Sequence, residues 1–138
     1  GLLKLRSIEV AAGILIDEKK RVLLSQRSHL KIFPLQWEFP GGKLKENESI
    51  EFALIRELKE ELNIEICDPE FFMQLKYSYE TFKVKIHFYL VYSWSGLVIG
   101  NESQIIQWCS TDQLEKIDLL EADAPVIKEL KGVIQFAS

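Results

Sequence analysis

Glu57, Glu60 and Glu61 stand at positions i, i+3 and i+4. In a helix, at about 100° per residue, that spacing puts three carboxylates on one patch of one face. Like charges so close repel, and the spacing turns Arg56 and Lys59 mainly to other sides. A divalent cation would relieve the repulsion. A set made of carboxylates alone selects hard ions such as Mg²⁺ or Mn²⁺ over Zn²⁺. The same pattern also reads as a solvated acidic face with ion pairs to Arg56 and Lys59. The context favours the cation: the segment follows Pro40-Gly41-Gly42, where a backbone without side chains can approach a ligand and lend a carbonyl to a metal shell.

Several elements must position these groups. Ser49 to Leu62 is the clearest helix, with Ser49 as N-cap, Glu51 in the first turn and Asn63 suited to the left-handed residue past the end. Leu54, Ile55, Leu58 and Leu62 share an arc that should face a sheet. Ile8 to Ile16 is almost wholly apolar and reads as a strand buried on both faces. A polar turn, Asp17 to Lys20, leads to a second strand, Arg21 to Arg27, and the two resemble a hairpin. Residues 28–47 hold Pro34, Pro40, Gly41 and Gly42 without periodicity and read as an irregular loop. Phe71 to Tyr79 and Phe82 to Tyr92 are strands, the second with a half-buried alternation. Gln104 to Cys109 is a short strand. Thr111 to Ile117 and Ala124 to Leu130 are helices, with Pro125 in the first turn of the last. The order of elements predicts an α+β (mixed α/β) sandwich.

Composition narrows the functions. A chain of 138 residues, 47% hydrophobic and 28% charged, suits one globular domain, here 1–138. A net charge of −4 disfavours a nucleic acid polymer as partner. No apolar run approaches the roughly 20 residues of a membrane span, and no secretory leader opens the chain. Two cysteines, Cys67 and Cys109, fit a reducing cytoplasm and have neither metal spacing nor a paired base. Isolated His29 and His87 are expected to be structural. Monomer or oligomer is left open.

Gly42, five residues on Glu48, seven further on Arg56-Glu57-Leu58-Lys59-Glu60-Glu61-Leu62-Asn63-Ile64 resembles the signature of the Nudix hydrolases. Every fixed position matches except Asn63, where the family has Gly; Asn also tolerates the left-handed conformation. Val10 to Leu15, Gln26-Arg27, Trp37-Glu38-Phe39-Pro40-Gly41-Gly42, Gln107-Trp108 and Ala122 to Ile127 are similar to the MutT-type branch, which includes oxidised-nucleotide triphosphatases. The resemblance implies a mixed sheet between helices and an enzyme that uses Mg²⁺ or Mn²⁺ to turn a (d)NTP into the monophosphate and pyrophosphate.

Carried over by position, it implies Glu60 and Glu61 as principal metal ligands. Glu57 is a further ligand or holder of the attacking water, the Gly41 carbonyl joins the shell, and Arg56 orients a carboxylate. Glu48 reads as structural. Glu102, in the turn Gly100 to Ser103, matches an extra acidic ligand or base. With several acids coupled, no single general base is assigned. On the nucleoside side the resemblance implies Arg27, Glu38, Tyr79, Phe82 and Asp123. Asp123 stands where MutT enzymes carry an Asn that reads oxidised guanine. An ionised Asp accepts hydrogen bonds but does not donate, so it suits the N7–H of 8-oxoguanine or the amino group of cytosine and sits badly against guanine O6. The resemblance makes 8-oxo-dGTP the substrate expected first, in a role of cleaning the nucleotide pool, while Asp123 points to the first of the alternatives. The alternatives are a pyrimidine (d)NTP pyrophosphohydrolase and a non-catalytic nucleotide-binding module.

Overall fold

The central strand, β1 (Arg6–Leu15), has an apolar second half that needs cover on both faces, and its neighbours supply it. In the computed structural model, which describes residues 6–29, 31 and 33–136, β1 pairs antiparallel with β4 (Gly41–Lys43) and parallel with β7 (Phe82–Val91). Strand β7 pairs antiparallel with β6 (Glu70–Ser78), giving a mixed sheet in the order β4-β1-β7-β6. A second sheet has the order β3-β2-β9, from β3 (Trp37–Glu38), β2 (Val22–Gln26) and β9 (Ile106–Cys109). A small pair joins β5 (Glu65–Cys67) to β8 (Ser93–Ser95).

Alternation along the strands divides the core in two. Ala12 and Ile14 of β1 and Val84, Ile86, Phe88 and Leu90 of β7 pack with Leu114 of α2 (Thr111–Lys116) and with Val126, Leu130 and Ile134 of α3 (Ala124–Phe136). On the other face, Ala11 and Leu15 of β1 and Tyr89 and Val91 of β7 meet Ala53, Leu54, Leu58 and Leu62 of α1 (Ile50–Leu62). The expected α+β architecture, a mixed sheet between helices, is what forms. No helix among the described residues is long and apolar enough to cross a membrane.

Helix α1 has the expected ends. The Ser49 hydroxyl accepts from the Phe52 N–H at 3.1 Å, and Asn63 takes φ 60°, ψ 40° with its N–H on the Lys59 carbonyl. Other expectations need correction. The supposed hairpin of β1 and β2 closes only at its neck, through an Ile16–Val22 bridge and the Asp17 N–H to Arg21 carbonyl bond. Beyond the neck each strand joins a different sheet, because each carries apolar residues on both faces and finds longer-range partners. The loop 28–47 contains β3 and β4, and strands β5 and β8 were also not expected. Ile55 does not face the sheet: it is 41% exposed, while Ala53 takes a buried place. The half-buried alternation of β7 holds for Lys83 but not for His87 or Tyr89, which are buried. Helix α3 continues past Leu130, to Phe136.

Candidate active site

One cavity of about 1030 Å³ collects nearly all the expected site residues. Gly41, Glu57, Glu60, Glu61 and Glu102 line it, together with Arg27, Glu38, Tyr79, Phe82 and Asp123. Arg56 does not line it but stands behind Glu57.

The acidic end is built where α1 crosses β4. Gly41 pairs with Ala12, and a Cβ on Gly41 would lie 2.1 Å from the Ala11 carbonyl oxygen, so only glycine permits this approach. The Gly41 N–H donates to Glu61 Oε2 at 3.0 Å, and the Ser25 hydroxyl of β2 donates to Glu61 Oε1 at 3.1 Å. Both carboxylate oxygens are thus oriented, one by the buried Ser25 hydroxyl and the other by the half-buried Gly41 N–H. Burial pushes the Glu61 carboxyl up to about 7; Glu38 and Glu102 push the same way, against the hydrogen bonds from Gly41 and Ser25. Ser25 received no role from its sequence, since one serine in an apolar strand carries no signal.

Arg56 departs from the direction its spacing suggested. Its guanidinium binds Glu48 through Nε at 2.7 Å and Nη2 at 2.8 Å, and Glu57 through Nη1 at 2.8 Å, with Glu60 at 3.4 Å. A long side chain reaches back over the preceding turn, so angular position alone misplaces its charge. Arg56 holds Glu48 down to about 2, consistent with a structural Glu48. Lys59 turns away to Glu65.

The other end of the cavity is assembled by β3. Its residue Trp37 donates its N–H to the Asp118 carbonyl and accepts from the Leu120 N–H, which draws segment 118–123 to the cavity. Asp123 is buried and its Oδ2 accepts from the Phe39 N–H at 3.4 Å. Burial, and then the charge of Glu38, push Asp123 up to about 8. That upward push favours the protonated carboxyl, which both donates and accepts, over the acceptor-only carboxylate. Arg27 Nη1 bonds Glu38 Oε2 at 2.5 Å. Tyr79 stacks on Phe82 with centroids 4.7 Å apart and meets Phe33 at 4.8 Å, so these rings border the cavity at the β6–β7 turn. His87 is a buried partner of Glu9, at 2.7 Å, on the far side of β1, as suits a structural role. Cys67 and Cys109 are both free thiols.

The oxygen-only, strongly acidic donor set suits a hard divalent cation. The carboxylates do not converge as the helical spacing suggested. Among the described residues no group of three or more His, Cys, Asp or Glu side chains is arranged to hold a metal ion. The cause is local: Glu57 is turned to Arg56 and lies across Gly42, while Glu61 is occupied by Ser25 and Gly41. Ligation would require these side chains to exchange their present partners for the cation.

The NUDIX domain model matches residues 7–130. The chain belongs to the NUDIX family. This NUDIX hydrolase is 34% identical to an 8-oxo-dGTP diphosphatase of Buchnera aphidicola subsp. Schizaphis graminum, over 92% of this chain and 95% of that one. It is 33% identical to a CTP pyrophosphohydrolase of Escherichia coli, over 90% and 91%. The solution structure of the E. coli ORF135 protein superposes with a TM-score of 0.81 at 31% identity, covering 96% of this NUDIX hydrolase and 95% of that chain. NUDIX hydrolases generally use divalent metals.

Proposed function

We propose that this chain is a single-domain, metal-dependent nucleoside triphosphate pyrophosphohydrolase of MutT type, whose favoured substrate is 8-oxo-dGTP, cleaved to 8-oxo-dGMP and pyrophosphate in the cytoplasm. The observation that carries this reading is buried Asp123, on the same cavity as the acidic cluster. A protonated carboxyl offers one donor and one acceptor, as an Asn amide does. It complements the O6 acceptor and N7–H donor of 8-oxoguanine together.

In this reading Glu60, Glu61 and the Gly41 carbonyl hold Mg²⁺ or Mn²⁺, with Glu57 and Glu102 as further acids. When bound, the ion supplies charge neutralisation at the phosphates and makes water more acidic. Glu57 and Glu102 are the groups placed to orient or deprotonate the attacking water, and Arg56 keeps Glu57 in place. Arg27, held by Glu38, faces the nucleotide, and Tyr79 and Phe82 offer ring faces beside the base.

A cytosine nucleotide is the second reading. The CTP-hydrolysing relative supports it, and a protonated Asp123 also complements cytosine N3 and its amino group. The test is pyrophosphate release from a panel of (d)NTPs, 8-oxo-dGTP included, with Mg²⁺. The highest kcat/KM is expected for 8-oxo-dGTP. A clear preference for CTP or dCTP establishes the second reading, and no release from any triphosphate sinks both.

Gly42 provides a separate check on Glu57. A Cβ at Gly42 would lie 2.4 Å from the Glu57 carboxyl carbon. The atom in the way ends a flexible side chain, so the backbone can stay while the carboxylate moves. Gly42→Ala is expected to lower kcat by about 10-fold or more, the scale of a misplaced catalytic group, with a melting temperature close to wild type. Wild-type turnover would show that the place of Glu57 does not matter.

A further inference from the structure

The last turn of a helix leaves carbonyls that no helical N–H reaches. At the end of α1 the Lys59 carbonyl is taken by Asn63, but those of Glu60, Glu61 and Leu62 need partners from elsewhere. All three find them in the stretch 99–104, which carries Glu102. The Ile99 N–H donates to the Leu62 carbonyl at 3.1 Å and the Asn101 N–H to the Glu61 carbonyl at 2.9 Å. The Asn101 Nδ2 donates to the Glu60 carbonyl at 3.0 Å, and Gln104 Nε2 donates to the Glu61 carbonyl at 3.0 Å. The other end of the Gln104 amide, Oε1, accepts from the Glu102 N–H at 3.0 Å. One side chain therefore bridges the helix end to the backbone of Glu102. The turn is closed tightly: a Cβ on Gly100 would lie 2.2 Å from the Gln104 carbonyl oxygen.

We propose that Asn101 and Gln104 are positioning residues, which fasten the Glu102 loop to the carbonyls of the two glutamates at the end of α1 and so fix the distance between Glu102 and Glu60–Glu61. The inference rests on the reading of Glu102 as a participating acid. An exposed loop carboxylate works only if its backbone is held to a fraction of an ångström, and three of these bonds come from two side chains that a loop could otherwise spend on water. Capping the helix alone would need no bond from Gln104 to Glu102.

A double-mutant cycle tests this on the full chain. kcat and KM are measured with Mg²⁺ on the better of 8-oxo-dGTP and CTP for wild type, Gln104→Met, Glu102→Gln and the double variant. Amide hydrogen exchange is followed at Asn101 and Glu102. Glu102→Gln is expected to lower kcat with little change in melting temperature, since a loop acid adds little to packing. Gln104→Met keeps the volume and removes both bonds; it is expected to lower kcat about 10-fold with KM within about twofold, and to speed exchange at both amides. In the Glu102→Gln background it should cost nothing further, because the group it positions is already gone. Losses that multiply in the double variant, or wild-type kcat in Gln104→Met beside a slowed Glu102→Gln, overturn the inference alone. Wild-type kcat in Glu102→Gln overturns the role of Glu102 and the inference with it. Should Gln104→Met not fold, Asn101→Ala takes its place in the cycle with the same expectations.

Discussion

Glu60→Gln lowers turnover by about two orders of magnitude or more, the scale of losing a preorganised charge at a reacting centre, while leaving the fold intact. The two halves of that result have separate causes. The Glu60 side chain is 51% exposed and its contact with Arg56 is long, at 3.4 Å, and an exposed i,i+4 pair contributes only about 0.3–0.5 kcal/mol to stability. Stability should therefore barely move. Activity should collapse, because the neutral amide removes one negative charge from the cation site proposed at the end of α1. The companion measurement is removal of the ion. Chelation with EDTA is expected to abolish pyrophosphate release, and added Mg²⁺ or Mn²⁺ to restore it. Near-normal turnover by Glu60→Gln, or hydrolysis that survives the chelator, would remove the metal site from this end of the helix.

Asp123→Asn separates from wild type as the pH rises. The wild-type carboxyl, pushed up to about 8, carries its proton at pH 7 and loses it by pH 9. An amide does not titrate. At pH 7 both side chains offer a donor and an acceptor to 8-oxoguanine, and kcat/KM should agree closely. At pH 9 the ionised Asp123 presents no donor to O6. A mismatched polar contact of about 1–3 kcal/mol then makes the variant roughly 5- to 150-fold better than wild type. Taking the ratio of the two enzymes at each pH cancels the titration of groups they share. Stability gives an independent readout with a definite sign. The folded-state pKa lies above the unfolded value, so the wild type holds its advantage below about pH 4 and loses it as the pH climbs through about 8. The variant should gain stability relative to wild type across that window. Parallel pH profiles for the two enzymes would mean that Asp123 neither touches the base nor titrates where its burial indicates.

The parts of this fold that were legible in the sequence are those with enough residues to show a period. Helix α1 spans 13 residues with both caps in place, and β6 and β7 span 9 and 10. Strands β3, β4, β5 and β8, of two or three residues each, are shorter than any pattern and are made by their partners. The apparent hairpin of β1 and β2 failed for a related reason: adjacency along the chain is visible, whereas the ten-residue parallel ladder between β1 and β7 is not. At the cavity, the spaced set of glutamates pointed to α1, whose Glu57, Glu60 and Glu61 do line it. A pairing of Arg56 with a carboxylate of the cluster was implied by the resemblance, but its two bonds to Glu48, from outside the helix, were not legible in the spacing. The resemblance marks Asp123 as a residue facing the base, but nothing in the sequence shows that its carboxyl is buried. That burial, which pushes the carboxyl up, depends on long-range packing that local pattern could not reveal.

That parallel ladder also has a bearing on how the protein comes to exist. Arg6 is in register with Phe82, and Leu15 with Val91. Closing a loop of this length costs entropy before any contact repays it, and parallel pairing at long range slows folding. During synthesis, the glycines of β4 and the glutamates of α1 leave the ribosome long before β7 does. Until then β1, against which β4 must lie to present Gly41 to Glu61, is without its central neighbour. The ladder that backs Gly41 through β1 can therefore be completed only after residue 91 has emerged.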